Sequence, residues 1–304
     1  MPVKDLMALL LLGAIWGGSF IFMRVAAPEF GIFALVEVRT LLATLVLLPV
    51  LACRGGMRDI VVHWKAIALI GAVNTAIPFV LFNYSSLHLE AGVNAILNAT
   101  APMFGAVIAF LWLSDKLSKQ AVIGLCLGFV GVAVISAQKI GDQGISIFPI
   151  ITALLATTCY GLAASMMKKY LQGVRPLAVA TGSQASASLF LLPFALYTLP
   201  ATMPSIVAWN NAIALAVFGT GIAYILYFSL IANVGPAKAI TVAYLVPLFG
   251  IVWGVVFLNE TLSLQTLLGG GLILTGVALT TGFSPSLFRK KRGKKIEQAN
   301  CRAE

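Results

Sequence analysis

Charge is what this sequence lacks. Aspartate, glutamate, lysine and arginine make up 10% of its 304 residues, where an ordinary soluble domain has about 25%. That shortage excludes a soluble enzyme and a disordered chain, both of which depend on solvated side chains. Histidine is scarce as well: His63 and His88 stand far apart, so no metal site is expected. The four cysteines form no CxxC pair and no zinc spacing. HExxH, GxSxG and Walker A motifs are missing, and Gly269-Gly270-Gly271 has no following Lys-Ser/Thr. Neither an enzyme, nor a cofactor, nor an ATP-driven pump built from this chain alone is expected.

What remains is largely apolar: 60% of residues, with a mean hydropathy of +0.99. A membrane-spanning helix needs about 20 consecutive apolar residues. Such runs recur near Leu6–Val25, Gly31–Ala52, Trp64–Tyr84, Ala91–Leu113 and Lys119–Ala137. A second set follows near Ser146–Met167, Pro176–Thr198, Ser205–Ile231, Ala237–Leu258 and Leu264–Phe283. The expected fold is an all-α integral membrane protein of ten transmembrane helices. The first run is too long for a signal-peptide core and contains Trp16 and Arg24, so it reads as an uncleaved span.

The net charge of +10 is explained by topology rather than by nucleic acid. Arg54, Arg58, Lys65, Lys116, Lys119, Lys168, Lys169, Arg175 and Lys238 all fall at one end of the spans, together with the tail from Arg289 to Arg302. Arg24 and Lys139 alone fall at the other. By the positive-inside rule both termini are cytoplasmic. The basic tail, residues 285–304, is expected to meet anionic lipid headgroups, with a protein partner as the alternative.

The chain also repeats. At an offset of 145, Pro102-Met103-Phe104-Gly105 falls on Pro247-Leu248-Phe249-Gly250. Asp115 falls on Glu260, Ser118 on Ser263, Gln120 on Gln265, Gly124 on Gly269 and Gly131 on Gly276. At an offset of 144, Trp16-Gly17 meets Tyr160-Gly161, and Arg24 meets Lys168. Two halves of five spans each are expected, residues 1–139 and 140–284. Five is odd, so the halves are inverted in the membrane, a plan that lets them rock around a site between them.

These residues carry a family resemblance over nearly the whole chain. Trp16-Gly17-Gly18-Ser19-Phe20, Arg39 and the two Pro-to-acid-to-Gly units resemble the drug/metabolite transporter superfamily, within it the EamA-type ten-helix carriers. Asp115 stands where the family usually has Glu, and Thr181-Gly182-Ser183 stands where the first half has Glu37-Val38-Arg39. The resemblance implies a secondary carrier in a bacterial cytoplasmic membrane, most often an exporter of small metabolites such as amino acids.

Candidate cavity residues follow from polarity at mid-span depth. Arg39 lies eight residues into its span, about 12 Å at 1.5 Å per residue. A charge there costs roughly 2.5–3.5 kcal/mol on insertion scales, so it should face the bundle interior. A substrate carboxylate or phosphate, a protein acid or a carbonyl could each pair with it. Asn94 and Asn98 share a helix face, as do Thr241 and Tyr244. Each face offers either substrate hydrogen bonds or interhelical glue. Trp16, Ser19 and Tyr160 complete the set, as stacking or packing groups. Pro102 and Pro247 should kink their helices and free the carbonyls of Asn98 and Ala243. Asp115 and Glu260 read as caps beside Ser118 and Ser263, with gating as the alternative. A carrier, working as monomer or homodimer, is the expected function. A receptor, scaffold or channel would share many of these features.

Overall fold

The computed structural model describes residues 1–141, 144 and 146–282. Phe283 and the basic tail lie outside them, and so does the expected lipid contact of that tail. Eight helices are long and apolar enough to cross a bilayer. They are α1 (Val3–Phe30), α2 (Ile32–Cys53), α3 (Trp64–His88), α4 (Ala91–Leu113), α5 (Lys119–Gly141), α6 (Phe148–Tyr170), α7 (Pro176–Tyr197) and α8 (Ile206–Val234). Two shorter apolar helices follow, α9 (Val242–Leu258) and α10 (Leu264–Thr280). At 17 residues each these rise about 25 Å, short of the ~30 Å hydrocarbon core. A turn of helix at Pro236–Ala239 precedes α9. The described residues contain no strand.

The helices start and stop where their sequence lacks a way to continue. Gly31 and Gly235 adopt positive φ at the ends of α1 and α8. Ser114 and Asn259, at equivalent places in the repeat, take left-handed conformations that end α4 and α9. Ser263 Oγ accepts from the Thr266 amide and Ser118 Oγ from the Ala121 amide, as expected of N-caps.

Two features depart from straight spans. Ala72–Ala76 within α3 and Val217–Ile222 within α8 are π-helical, and 145 positions separate their starts. The expected proline kinks are unlike each other. α4 breaks at Ala99-Thr100, just before Pro102, whereas Pro247 sits inside α9 and the break comes earlier, at Ile240-Thr241.

Glycines set the closest helix contacts. A Cβ added to Gly17 of α1 would meet the Gly250 amide nitrogen of α9 at 2.7 Å; one on Gly161 of α6 would meet that of Gly105 of α4 at 2.6 Å. On α5 and α10, Gly124 abuts the Gly276 carbonyl and Gly131 the Gly269 carbonyl, each 2.5 Å from such a Cβ. Small residues let backbones approach this closely where no hydrophobic effect drives association.

The two ends of the bundle differ. At the end bearing Glu90, Lys139 is only 2% exposed and bonds Glu90 at 2.6 Å, although both read as loop charges in the sequence. There Glu260 does not cap its own neighbouring helix. Its oxygens accept from the Ala91 and Gly92 amides at the start of α4, at 2.7 and 3.2 Å. At the lysine-rich end, Asp115 pairs with Lys168 at 2.8 Å on the surface, and Arg175 lies 3.6 Å from Asp59.

Candidate binding cavity

A cavity of about 520 Å³ lies in the middle of the bundle, within the usual range of about 300–1,000 Å³ for small-molecule sites. It is lined by residues of α1, α2, α3, α4, α6, α7, α8 and the first turns of α9. It runs along Val179 and Ala180 to Leu171, Val174 and Pro176, at the lysine-rich end. Among the described residues, none of the opposite end's connections lines it.

Arg39 is the cavity's fixed cation. It is 8% exposed. Its Nε donates to Thr220 Oγ1 at 3.0 Å, one Nη lies 3.8 Å from Met23 Sδ, and the guanidinium sits 3.6 Å over the Phe79 ring. Stacking on a ring face and a fixed donor suit arginine's planar, weakly hydrated head. The π turn of α8 presents Thr220, whose hydroxyl also reaches the Leu215 carbonyl, five residues back. No acid pairs with Arg39 among the described residues. Glu37, two residues away, is turned to Ser188 instead.

Aromatic rings wall the rest. Tyr160 stacks on Phe82 at 6.1 Å, Phe82 meets Phe20 edge-on at 5.7 Å, and Trp16 tilts against Tyr227 at 5.3 Å. Asn98 of α4 and Asn74 of the α3 π turn add amides. Ser19 lines the wall while its hydroxyl donates to the Ile15 carbonyl. Ser183 is a lining residue, and its buried Oγ has no hydrogen-bond partner.

Of the residues singled out in the sequence, Arg39, Asn98, Trp16, Ser19 and Tyr160 therefore meet around one space. Three do not line it. Asn94 is buried, accepting from Ser85 Oγ at 2.6 Å and donating to Ser86 Oγ, which ties α4 to α3. Thr241 donates to the Lys238 carbonyl in the turn before α9. Tyr244 is 2.7 Å from Thr281 Oγ1, toward α10. Thr241 and Tyr244 keep helical spacing, joined by a Tyr244 amide to Thr241 carbonyl bond of 3.1 Å, but their side chains are engaged by Lys238 and Thr281 instead of the cavity. Pro102 and Pro247 do not line the space either, but Ala243, four residues before Pro247, does. Phe79, Thr220 and Met23 carried no sequence signal, since an aromatic, a threonine and a methionine inside apolar runs read as packing. No group of three or more potential metal ligands occurs among the described residues.

A polar, arginine-bearing cavity inside a bundle of apolar helices is the build of an integral membrane protein that handles a small molecule. The chain belongs to the EamA-like transporter family, whose sequence profile matches it twice, over residues 4–137 and 147–282. This fits the drug/metabolite transporter superfamily. It is 28% identical over 269 residues to the uncharacterized transporter YvbV of Bacillus subtilis, covering 87% of each chain. It is 27% identical to a probable terminal-alkyne amino-acid exporter of Streptantibioticus cattleyicolor, covering 91% of this chain and 93% of that one. The inner membrane transporter YedA of Escherichia coli is 26% identical over 276 residues, covering 90% of this chain. A solved crystal structure shares the fold, with a TM-score of 0.65 at 14% identity over 94% of this chain and 99% of that one.

Proposed function

We propose that the protein is a secondary carrier that exports amino acids or related small carboxylates across a bacterial cytoplasmic membrane. Arg39 carries this reading: a buried cation without an acid partner among the described residues, stacked on Phe79 and facing a cavity of metabolite size. The carboxylate of a substrate supplies the missing counter-charge, held by charge-assisted hydrogen bonds. The aromatic wall from Trp16 to Phe82 takes the apolar body. Asn98 and Asn74 offer hydrogen bonds to its remaining polar groups.

The proposed mechanism is alternating access by two inverted five-helix halves, residues 1–139 and 140–284, with both termini cytoplasmic. Several pairings support it. The Gly17–Gly250 and Gly161–Gly105 contacts are equivalent under the repeat, as are Gly124–Gly276 and Gly131–Gly269. The two π turns and the two left-handed helix ends are likewise equivalent. In this state the cavity reaches the lysine-rich end, the cytoplasmic one by its charge. Lys139–Glu90 and the Glu260 cap hold the other end together. One chain encloses the cavity, so a monomer suffices. The tail's basic run is assigned to anionic lipids on charge alone.

The test is flux of a labelled amino-acid pool in proteoliposomes, with insertion checked. Saturable flux in wild type and its loss in Arg39→Leu is the expected result. Equal flux in both would remove Arg39 from the transport path.

A further inference from the structure

Glu37 plays no part in the cavity lining. It lies six residues past Gly31 in α2, about 9 Å along the helix at 1.5 Å per residue, and is 8% exposed. Its Oε1 accepts from Ser188 Oγ of α7 at 2.6 Å. Its Oε2 is buried and has no hydrogen-bond partner. An ionised carboxylate there would lack both a counter-charge and acceptor satisfaction, the costliest condition for a buried group.

The surroundings offer no compensation. Arg39 is turned to Thr220 and Phe79. On α7 no ionisable side chain lies between Arg175 and Tyr197. On α8, Tyr224 and Tyr227 face the cavity. On α1, Arg24 donates to the Ser86 carbonyl and Glu29 accepts from Ser205. On α3, Lys65 stands at the first turn, and Tyr84 and His88 contact each other near the last. Tyr160 of α6 packs against the apolar cluster of Val36, Ala76, Phe79, Ala187 and Leu191 and also lines the cavity.

Polar groups nonetheless continue from Ser188 along α7. Ser188 and Gln184 are four residues apart and share a face of α7. Gln184 is fully buried, and neither its Oε1 nor its Nε2 has a hydrogen-bond partner. Ionisable residues inside a membrane bundle, set in polar chains, are how carriers move protons. We propose that Glu37 is a proton-binding site separate from the substrate site. Its carboxylate takes the coupling proton from hydronium on one side and returns it to water on the other, while the Ser188 hydroxyl donates to Oε1. Only an O–H bond forms and breaks.

The proposal rests on the carrier reading for what the proton drives, but not for whether Glu37 binds it. Infrared difference spectra of the purified, reconstituted protein test the binding without any substrate. A deuterium-sensitive carboxylic C=O band that fades as pH rises is expected in wild type. It should be absent from Glu37→Gln and displaced, yet present, in Ser188→Ala. A full band in Glu37→Gln, or none in wild type, would overturn the assignment. In proteoliposomes an imposed pH gradient should drive labelled amino-acid flux in wild type, and flux through Glu37→Gln should ignore the gradient. Flux through Glu37→Gln that still follows the gradient would overturn the coupling role.

Discussion

At the scale of residues, the account turns on how one arginine is held. Arg39 is fixed by a ring face and a hydroxyl, both uncharged, so its charge stays available. Lysine at this position keeps the charge but loses the planar fork and the stacking. Arg39→Lys is therefore expected to retain measurable flux at a raised half-saturation concentration, where Arg39→Leu retains none. Phe79→Leu removes a stacking contact of about 0.5–2 kcal/mol. The expected result is a half-saturation concentration raised by roughly two- to thirtyfold, with insertion unchanged. An unchanged value would mean that Phe79 only fills space.

Arg39 was legible in the sequence because a charge in an apolar run must have a reason. Its partners were not. Thr220 reaches it from a π turn, and π turns leave no periodic trace in composition. Glu37 stands in the sequence only as part of the Glu37-Val38-Arg39 run, and its pairing with Ser188, 151 residues away, needs the fold.

At the scale of elements, the closest helix pairs are set by glycine. Gly131→Ala would put a Cβ 2.5 Å from the Gly269 carbonyl oxygen, whereas Gly271 on α10 has nothing within 4 Å. Overpacking of this kind costs about 1–3 kcal/mol. A lowered thermal midpoint in detergent is expected for Gly131→Ala and not for Gly271→Ala. Equal midpoints would mean that α5 and α10 adjust their spacing freely. The Glu260 cap is worth about 0.5–2 kcal/mol by analogy with other helix caps. Glu260→Ala should speed hydrogen exchange at the Ala91 and Gly92 amides while leaving α7 unaffected.

Element positions followed well from hydropathy: α4 spans Ala91–Leu113 as its apolar run does. Breaks within helices followed less well. Pro102 marks one, but Pro247 is accommodated inside α9 and the interruption falls at Ile240-Thr241. A proline frees a carbonyl wherever it sits; where the helix opens depends on which neighbouring groups receive the freed atoms. Thr241 and Tyr244, after that interruption, are engaged by the Lys238 carbonyl and the Thr281 hydroxyl and do not face the cavity.

At the scale of the whole molecule, the sequence repeat and the contact pattern point the same way. Residues matched at an offset of 145 meet as equivalent glycine pairs across the bundle. The direction in which the cavity opens could not be read from the sequence, because both halves carry nearly the same helices. It depends on unequal ends: a Glu260 cap and a buried Lys139–Glu90 pair at one, an exposed Asp115–Lys168 pair at the other. Alternating access requires that the cavity meet water on one side at a time. Ala243 lies in the cavity wall, is half-buried, and is small enough for cysteine to replace it. The direct measurement is labelling of Ala243→Cys, in a background without the four native cysteines, by a membrane-impermeant thiol reagent. Inside-out and right-side-out vesicles are compared, with and without an amino-acid pool. The account predicts labelling from the cytoplasmic face in the resting protein, and a shift toward the outer face when the pool is supplied outside. Equal labelling from both faces at once would contradict alternating access and make the cavity a channel.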